Sequence, residues 1–467
     1  MRALADVLLG WGWLLTGSDL DIASLSDHGG MRLFAGHAAE HVPPETELVV
    51  YSDAVPVGNP ELRRAAELGI PTLSYFQMLG RLGVGRRTVA VAGTHGKSTT
   101  AAMLAHLLVQ AGCDPTVVYG ATPLAHIADH GGADIPVCRA GPSKDGRQEC
   151  LPHLAHSGGR AGGGDILLVE ACEYRANFLH LRPRQAAILG IEPDHFDCYD
   201  SLAQLEDAFR RFAESVDSDG LLVARHDCES TRRVTAGLAC RVESFGLSAD
   251  ADWSAQSLEN NGGRFSFEIR RFGRPFCRVR LPVPGEHNVL NALAAAAMAY
   301  ENRISADQIL AGLAAFPGLH RRLELLGTWH GATLIDDYAH HSTEVTAALT
   351  TVRRMFPRCR VWCVFQPHQA SRTARLLDEL AASLQNADKV LVAEIFRARE
   401  GDPQPGEVTA ADLARRAAEL GADVLPGHTD KEIAETLKTL LAPGDVLVTL
   451  GAGDVGKRIH HGSNDRF

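Results

Sequence analysis

No run of apolar residues in this chain approaches the roughly 18 needed to span a bilayer. No cysteine spacing marks a metal cluster or a disulfide framework. The ten cysteines are scattered, and the nearest two, Cys359 and Cys363, sit in a strand-like run, RVWCVF. They read as reduced thiols of a cytoplasmic protein. The opening MRALADVLLGWGW has one Arg, an early Asp6 and no small-residue cleavage site, which argues against a signal peptide. Lysine is absent from 145–388. An excess of positive charge is also lacking. The formal net charge is −11, which argues against nucleic acid or an anionic membrane surface as the main partner.

What is present is an ordinary globular composition, 45% hydrophobic and 22% charged, in 467 residues, a length that predicts about three domains. The most informative stretch is TVAVAGTHGKSTTAAMLAHLLVQA, residues 88–111. Residues 88–92 are β-branched or small and read as a buried parallel strand. Gly93, Thr94, His95, Gly96, Lys97 and Ser98 form a turn, and from Thr99 onward Met103, Leu104, Leu107 and Leu108 keep a helical spacing. Strand, Gly-rich turn, Lys-Ser and helix make a phosphate-binding loop. Backbone N–H groups cradle phosphate, Lys97 supplies a cation, and the Ser98 hydroxyl reaches Mg²⁺. The strict G-x-x-x-x-G-K-[ST] pattern is missed because Val91 stands at the first Gly position. The plainer alternative is a strand–helix turn with a surface lysine.

Three regions follow from the element pattern. The first, 1–85, alternates helix 2–10, strand 13–16 ending in Gly17-Ser18-Asp19, strand 48–55 and helix 60–69, with a short linker at 83–86. Asp19 suits the acid of a dinucleotide-type unit, yet no strand and no Gly-rich turn precede the first helix, so an upstream start is expected. The second, 86–316, has Gly-rich loops over 128–164 and two buried strands ending in acids, 165–172 with Glu170 and 185–192 followed by Pro193, Asp194 and His195. Acids at strand ends beside a phosphate loop are expected Mg²⁺ ligands. A helix over 201–216, a hairpin turning at Phe272-Gly273 and an Ala-rich helix opening with His287 and Asn288 complete it. The third, 317–467, alternates strands and helices as a doubly wound α/β unit. Its Gly451-Ala452-Gly453-Asp454-Val455-Gly456 fits G-x-G-x-x-G, but only 11 residues follow, so a tight turn after a last strand is expected rather than a dinucleotide site.

The segments GTHGKST (93–99), EACEYRANFLHLRP (170–183), IEPDHFD (191–197), GEHNVLNA (285–292), HRRLE (320–324), DDYAHHSTE (336–344), FQPHQASRT (365–373) and LGAGDVGK (450–457) occur in an order that resembles the Mur ligases, over nearly the whole chain. The doubled His of DDYAHH and the FQPH segment resemble the alanine-adding branch. The resemblance implies an α/β protein of three domains: N-terminal Rossmann-like for a UDP-sugar, central ATPase-like, and C-terminal Rossmann-like closing over the site. It implies a cytoplasmic ligase, monomer or homodimer, with ATP and Mg²⁺ as cofactors. UDP-N-acetylmuramate and L-alanine would be its substrates, joined through an acyl phosphate during peptidoglycan synthesis. Ser98 and Glu170 would hold one Mg²⁺ and His195 a second. His287 and Asn288 would meet adenine, and Asp336 the ribose region. Arg322 would approach the γ-phosphate, His340, Gln369 and Arg372 would face the alanine carboxylate, and Ser18 and Asp19 the UDP-sugar. The chain departs from the family at Cys172 (usually Asp), Gln369 (usually Arg) and Ser342 (usually Pro). It also lacks the carbamylated Lys of several sister ligases. The alternatives are a ligase recycling a whole tripeptide and a non-catalytic nucleotide-binding homologue.

Overall fold

The structure, a computed structural model, describes residues 1–20, 31–124, 157–398 and 400–461. Most of the expected loop stretch 128–164 lies outside them. Its described end forms an edge strand, Gly158–Arg160, antiparallel to Thr116–Tyr119.

The central region is built on a ten-stranded sheet. Arg87–Ala92 lies inside it, with Ile166–Glu170 and Gln185–Ile188 as parallel neighbours. Every residue of Arg87–Ala92 after the first is buried, as a strand covered on both faces must be. Helices Lys97–Gln110 and Glu286–Glu301 bury Met103, Leu104, Leu293 and Met298 on one face. Helices Tyr75–Gly83 and Leu202–Glu214 bury Met78, Leu79, Phe209 and Phe212 on the other. The parallel register sets Val91 beside Glu170, so the phosphate-loop turn and the acid leave the sheet on the same edge. The hairpin Arg264–Arg271/Arg274–Pro284 turns at Phe272 and Gly273, both at positive φ, where expected.

The first region contains two separate parallel pairs, Thr16–Asp19 with Arg32–Ala35 and Val49–Tyr51 with Thr72–Ser74. The first strand lies three residues later than the apolar run at 13–16 predicts; Leu14 is fully exposed there. Helix Arg2–Gly10 places Ala3, Leu4, Val7 and Leu8 in the core of the central sheet, and Trp11 Nε1 donates to the Gly162 carbonyl at 3.3 Å. Helix Tyr75–Gly83 was not expected. Ser74 caps it in a reciprocal box with Gln77, and Gly80 allows close approach, since a Cβ there would lie 2.4 Å from the His180 carbonyl oxygen.

The last region is a five-stranded sheet in the order Glu324–Trp329, Ala332–Asp337, Val446–Leu450, Val361–Phe365, Lys389–Val392, parallel except for its first strand. Helices cover both faces, as the alternation predicts. The helix expected over 372–385 is broken into Ala370–Arg375 and Leu377–Ser383. After the last strand a short helix, Val455–His461, follows the Gly-rich turn. Among the described residues, no helix is long and apolar enough to cross a membrane.

Candidate active site

The phosphate-loop turn needs its glycines. Gly93 has φ +132° and a Cβ there would meet the Leu189 amide at 2.8 Å; Gly96 has φ +81° and would meet Asn291 Oδ1 at 2.4 Å. Helix Lys97–Gln110 starts directly after Gly96, so the amides of its first turn face outward as an anion site. Ser98 and Thr99 are buried in that turn.

Lys97 does not point into solvent. Its Nζ donates to the Gly93 carbonyl at 2.6 Å, to the Thr94 carbonyl at 3.2 Å and to Glu173 Oε1 at 3.0 Å. Burial alone would lower the Lys97 pKa, but the Glu173 carboxylate outweighs it and the pKa is raised. Burial alone would raise Glu173, yet Lys97 and His195 hold it below the usual carboxylate range. His195 Nε2 lies 3.3 Å from the same Glu173 oxygen. Glu173, which lies in the EACEYRANFLHLRP segment without an expected role, is therefore the acid that neutralises Lys97. Three residues around it, Arg175, Ala176 and His195, adopt left-handed backbone at φ +51°, +54° and +52°. Such strain persists only where surrounding contacts enforce it. The Tyr199 hydroxyl supplies one of those contacts by donating to the Glu173 carbonyl at 2.5 Å.

The Ser98 hydroxyl lies 3.0 Å from both Glu170 oxygens, and the Gly120 amide fixes Glu170 Oε2 at 2.7 Å. Glu173 Oε2 and His195 Nδ1 are buried without a hydrogen-bond partner. Hard oxygen donors beside a helix N-terminus, with an orphaned carboxylate oxygen nearby, fit Mg²⁺. Cys172 also faces this space, but burial and the Glu173 charge push its thiol up to about 12, so it is a neutral thiol there.

A cavity of about 420 Å³ opens over this turn, and both the central and the last region line it. Thr94, Gly96, Lys97, Ser98, Glu170, Asp194 and His195 come from one side, Arg321, Arg322, Tyr338, His340 and Glu344 from the other. Arg322 lies over the Tyr338 ring, 5.2 Å from its centroid, and has no ion-pair partner among the described residues. Arg321, its neighbour, is engaged: it pairs with Asp336 at 3.0 Å and donates to the Gly451 and Gly453 carbonyls at 2.6 and 2.5 Å. That pairing explains the Gly-rich turn at 451–456, which presents carbonyls to a guanidinium.

Other expected residues stand apart from the lining. Gly93 and His95 belong to the turn and Thr99 to the first turn of the helix, but none of the three lines the cavity. Asp336 is buried, accepting from Arg321 and from Thr449 Oγ1 at 2.6 Å. Asn288 donates to the Pro284 carbonyl at 2.6 Å and accepts from Asn291 at 3.0 Å. Burial, then Arg322, brings His287 down to about 4, so its ring is neutral. His340 lines the cavity, but burial lowers it to about 4, so it offers a neutral ring rather than a cation. Arg372 is buried and paired with Asp194 at 2.7 and 2.9 Å, and it reaches His368 Nδ1. Gln369 is buried with φ +66° and starts helix Ala370–Arg375. Ser18 donates to Glu61 at 2.7 Å on strand Thr16–Asp19, away from the cavity lining; Asp19 closes that strand.

Three family profiles match successive stretches of the chain: the Mur ligase family, catalytic domain at 1–87, the Mur ligase middle domain at 91–299, and the Mur ligase, glutamate ligase domain at 321–453. A curated relative from Clostridium novyi, named UDP-N-acetylmuramate–L-alanine ligase, is 36% identical over 97% of this chain and 93% of its own length. The chain belongs to the Mur ligase family. It is thereby an ATP-dependent, amide-forming ligase with the three-domain architecture of that family. A relative of the same name from Salinibacter ruber is 37% identical, covering 97% of this chain and 90% of that one. Among solved structures, the UDP-N-acetylmuramate–alanine ligase of Thermotoga maritima superposes with a TM-score of 0.76 at 24% identity, over 99% of this chain and 95% of that one. A murein peptide ligase from Psychrobacter arcticus gives 0.71 at 24% identity, over 100% and 97%. At these identities the two structures speak to the fold alone.

Proposed function

We propose that this Mur ligase joins L-alanine to the lactyl carboxylate of UDP-N-acetylmuramate, converting ATP to ADP and phosphate, in the assembly of peptidoglycan precursors in the cytoplasm. The organisation that goes with this reading is 1–85 for the UDP-sugar, 86–316 for ATP and 317–467 for the amino acid. The observation that carries it is the cavity in which Lys97 and the first turn of its helix face Arg322, which has no ion pair among the described residues. A carboxylate and a γ-phosphate repel one another, so a site that brings them together must supply positive charge where charge develops. Lys97 gives it from below and Arg322 from above. Ser98, Glu170 and His195 would hold Mg²⁺, which neutralises phosphate oxygens when bound. The lactyl oxygen takes the γ-phosphoryl group as ADP leaves. The alanine amine then attacks the activated carbonyl, and phosphate leaves as the amide forms. His340, neutral, can donate one hydrogen bond to the alanine carboxylate, and Arg372 would supply charge only by sharing its guanidinium between Asp194 and that carboxylate. The relatives' printed names favour alanine as the acceptor over a tripeptide.

The test is phosphate release by the full chain with ATP and Mg²⁺. Release that requires both UDP-N-acetylmuramate and L-alanine is expected. Release supported by a tripeptide but not by alanine would move the chain to the recycling reaction, and no release with either would leave a nucleotide-binding homologue.

A further inference from the structure

His95 sits in the phosphate-loop turn but does not line the cavity; it faces the C-terminal domain. Its Nδ1 lies 3.2 Å from Glu344 Oε1 and its Nε2 3.4 Å from Glu192 Oε2. The His341 ring stands 4.7 Å from the His95 ring, and His341 Nδ1 lies 3.9 Å from the same Glu192 oxygen. One ligand atom from each of His95, Glu192 and His341 falls within 4.8 Å of the others. In a tetrahedral site with ligands at ~2.0–2.1 Å, neighbouring donors stand about 3.3 Å apart. The observed 3.4 and 3.9 Å separations are within small side-chain adjustments of that value.

The outer atoms of both rings are already held. His95 Nδ1 meets Glu344, and His341 Nε2 meets the Pro193 carbonyl at 3.3 Å. Imidazoles that bind metal are oriented in this way by an acceptor on the far nitrogen. The Thr343 hydroxyl donates to Glu192 Oε2 at 2.6 Å and fixes the carboxylate. His95 Nε2 is buried with no hydrogen-bond partner. His341 Nδ1 accepts only a long bond, 3.4 Å, from the Thr343 amide, which an ion would replace. Two imidazoles and one carboxylate suit zinc-type ions; Mg²⁺ prefers an all-oxygen shell.

We propose that His95, Glu192 and His341 form a binding site for a zinc-type divalent ion, distinct from Ser98, Glu170 and His195, that ties the phosphate-loop turn to the start of helix Ser342–Met355. Without the ion, a proton takes its place on His95: burial alone would lower that group, but Glu192 and Glu344 raise it to about 9. Ion binding therefore displaces a proton at neutral pH. Because the ion would join groups from two domains, it stabilises their joined arrangement by mass action.

The probe is Co²⁺, added to the full chain after chelator treatment and in saturating Mg²⁺. Expected is one equivalent with the intense visible band of a tetrahedral ion, displaced by Zn²⁺, and a Zn²⁺-dependent rise in Tm. Glu192→Gln and His341→Ala each weaken Co²⁺ binding by ~10-fold or more, while His195→Ala keeps the band. Glu192→Gln is isosteric on a partly exposed side chain, so it tests the site even where His341→Ala fails to fold. No band in the wild-type chain, a band unchanged in Glu192→Gln, or one lost in His195→Ala would overturn the proposal. None of these outcomes depends on ligation, so the proposed function stands or falls separately.

Discussion

The two sides of the cavity treat charge differently. On the phosphate-loop side, Lys97 is locked against Glu173, whose same oxygen meets His195, so the Lys97 charge arrives already neutralised. On the C-terminal side, Arg321 and Arg372 are spent on Asp336 and Asp194, and Arg322 lies over an aromatic ring with no ion pair among the described residues, compensated only at longer range by Asp337 and Glu344. A buried cation with no partner is costly, so Lys97 needs Glu173 until phosphate replaces it. Arg322 is half-buried at the seam, and Asp337 and Glu344 balance its charge without a direct ion pair. Under the proposed mechanism, one side is a structural pair that doubles as machinery, and the other is machinery alone.

Substitutions should separate the two. Lys97→Ala is expected to cut ligation by ~10³-fold and also to destabilise the fold by about 3 kcal/mol, because Glu173 loses its main partner. Adding Glu173→Gln should recover most of the stability, read as Tm, and none of the activity. Arg322→Ala is expected to cost ~10²-fold in kcat/KM with Tm nearly unchanged. A large fall in Tm for Arg322→Ala would erase the distinction.

Arg372 tests the borderline case, since it is both buried and assigned to substrate. Arg372→Ala should raise the KM for L-alanine by ~10-fold, the size of one charge-assisted bond, with ATP affinity little changed. It should also lower Tm, because Asp194 is left buried. Gln369→Ala should cost less. An unaltered alanine titration would confine Arg372 to its pair with Asp194.

The smallest effect concerns pH. With its pKa raised to about 9, His95 carries a charge between Glu192 and Glu344 that the unfolded chain loses near 6.5. A raised pKa gives stability that is full below the unfolded value and lost as pH climbs through the folded one. In chelated buffer, stability should fall by ~2 kcal/mol between about pH 6.5 and 9. That slope should flatten in His95→Gln. An identical slope in the variant would remove the seam contact as its source.

Much of this was legible in the chain. The strand, glycines and Lys-Ser at 88–98 specify their own local geometry, and Glu170 follows because a parallel register puts strand ends together. The alternation in the last third predicted its sheet for the same reason. Contacts across the seam were not legible, because Asp194 with Arg372 and His95 with Glu344 join residues far apart in sequence. The motif marks Lys97 as the phosphate cation but not its partner; only the fold brings Glu173 beside it. Helix Tyr75–Gly83 was hidden by Gly80, a poor helix former retained for its close approach to His180. Strand Thr16–Asp19 was displaced because the apolar residues before it are not its buried face.

The most direct measurement follows the lactyl oxygen. UDP-N-acetylmuramate carrying oxygen-18 in its carboxylate is incubated with the full chain, ATP, Mg²⁺ and L-alanine, and the released phosphate is weighed by mass spectrometry. If the carboxylate attacks the γ-phosphate between Lys97 and Arg322, one labelled oxygen passes into each phosphate. Phosphate released without label, alongside normal amide formation, would contradict that route.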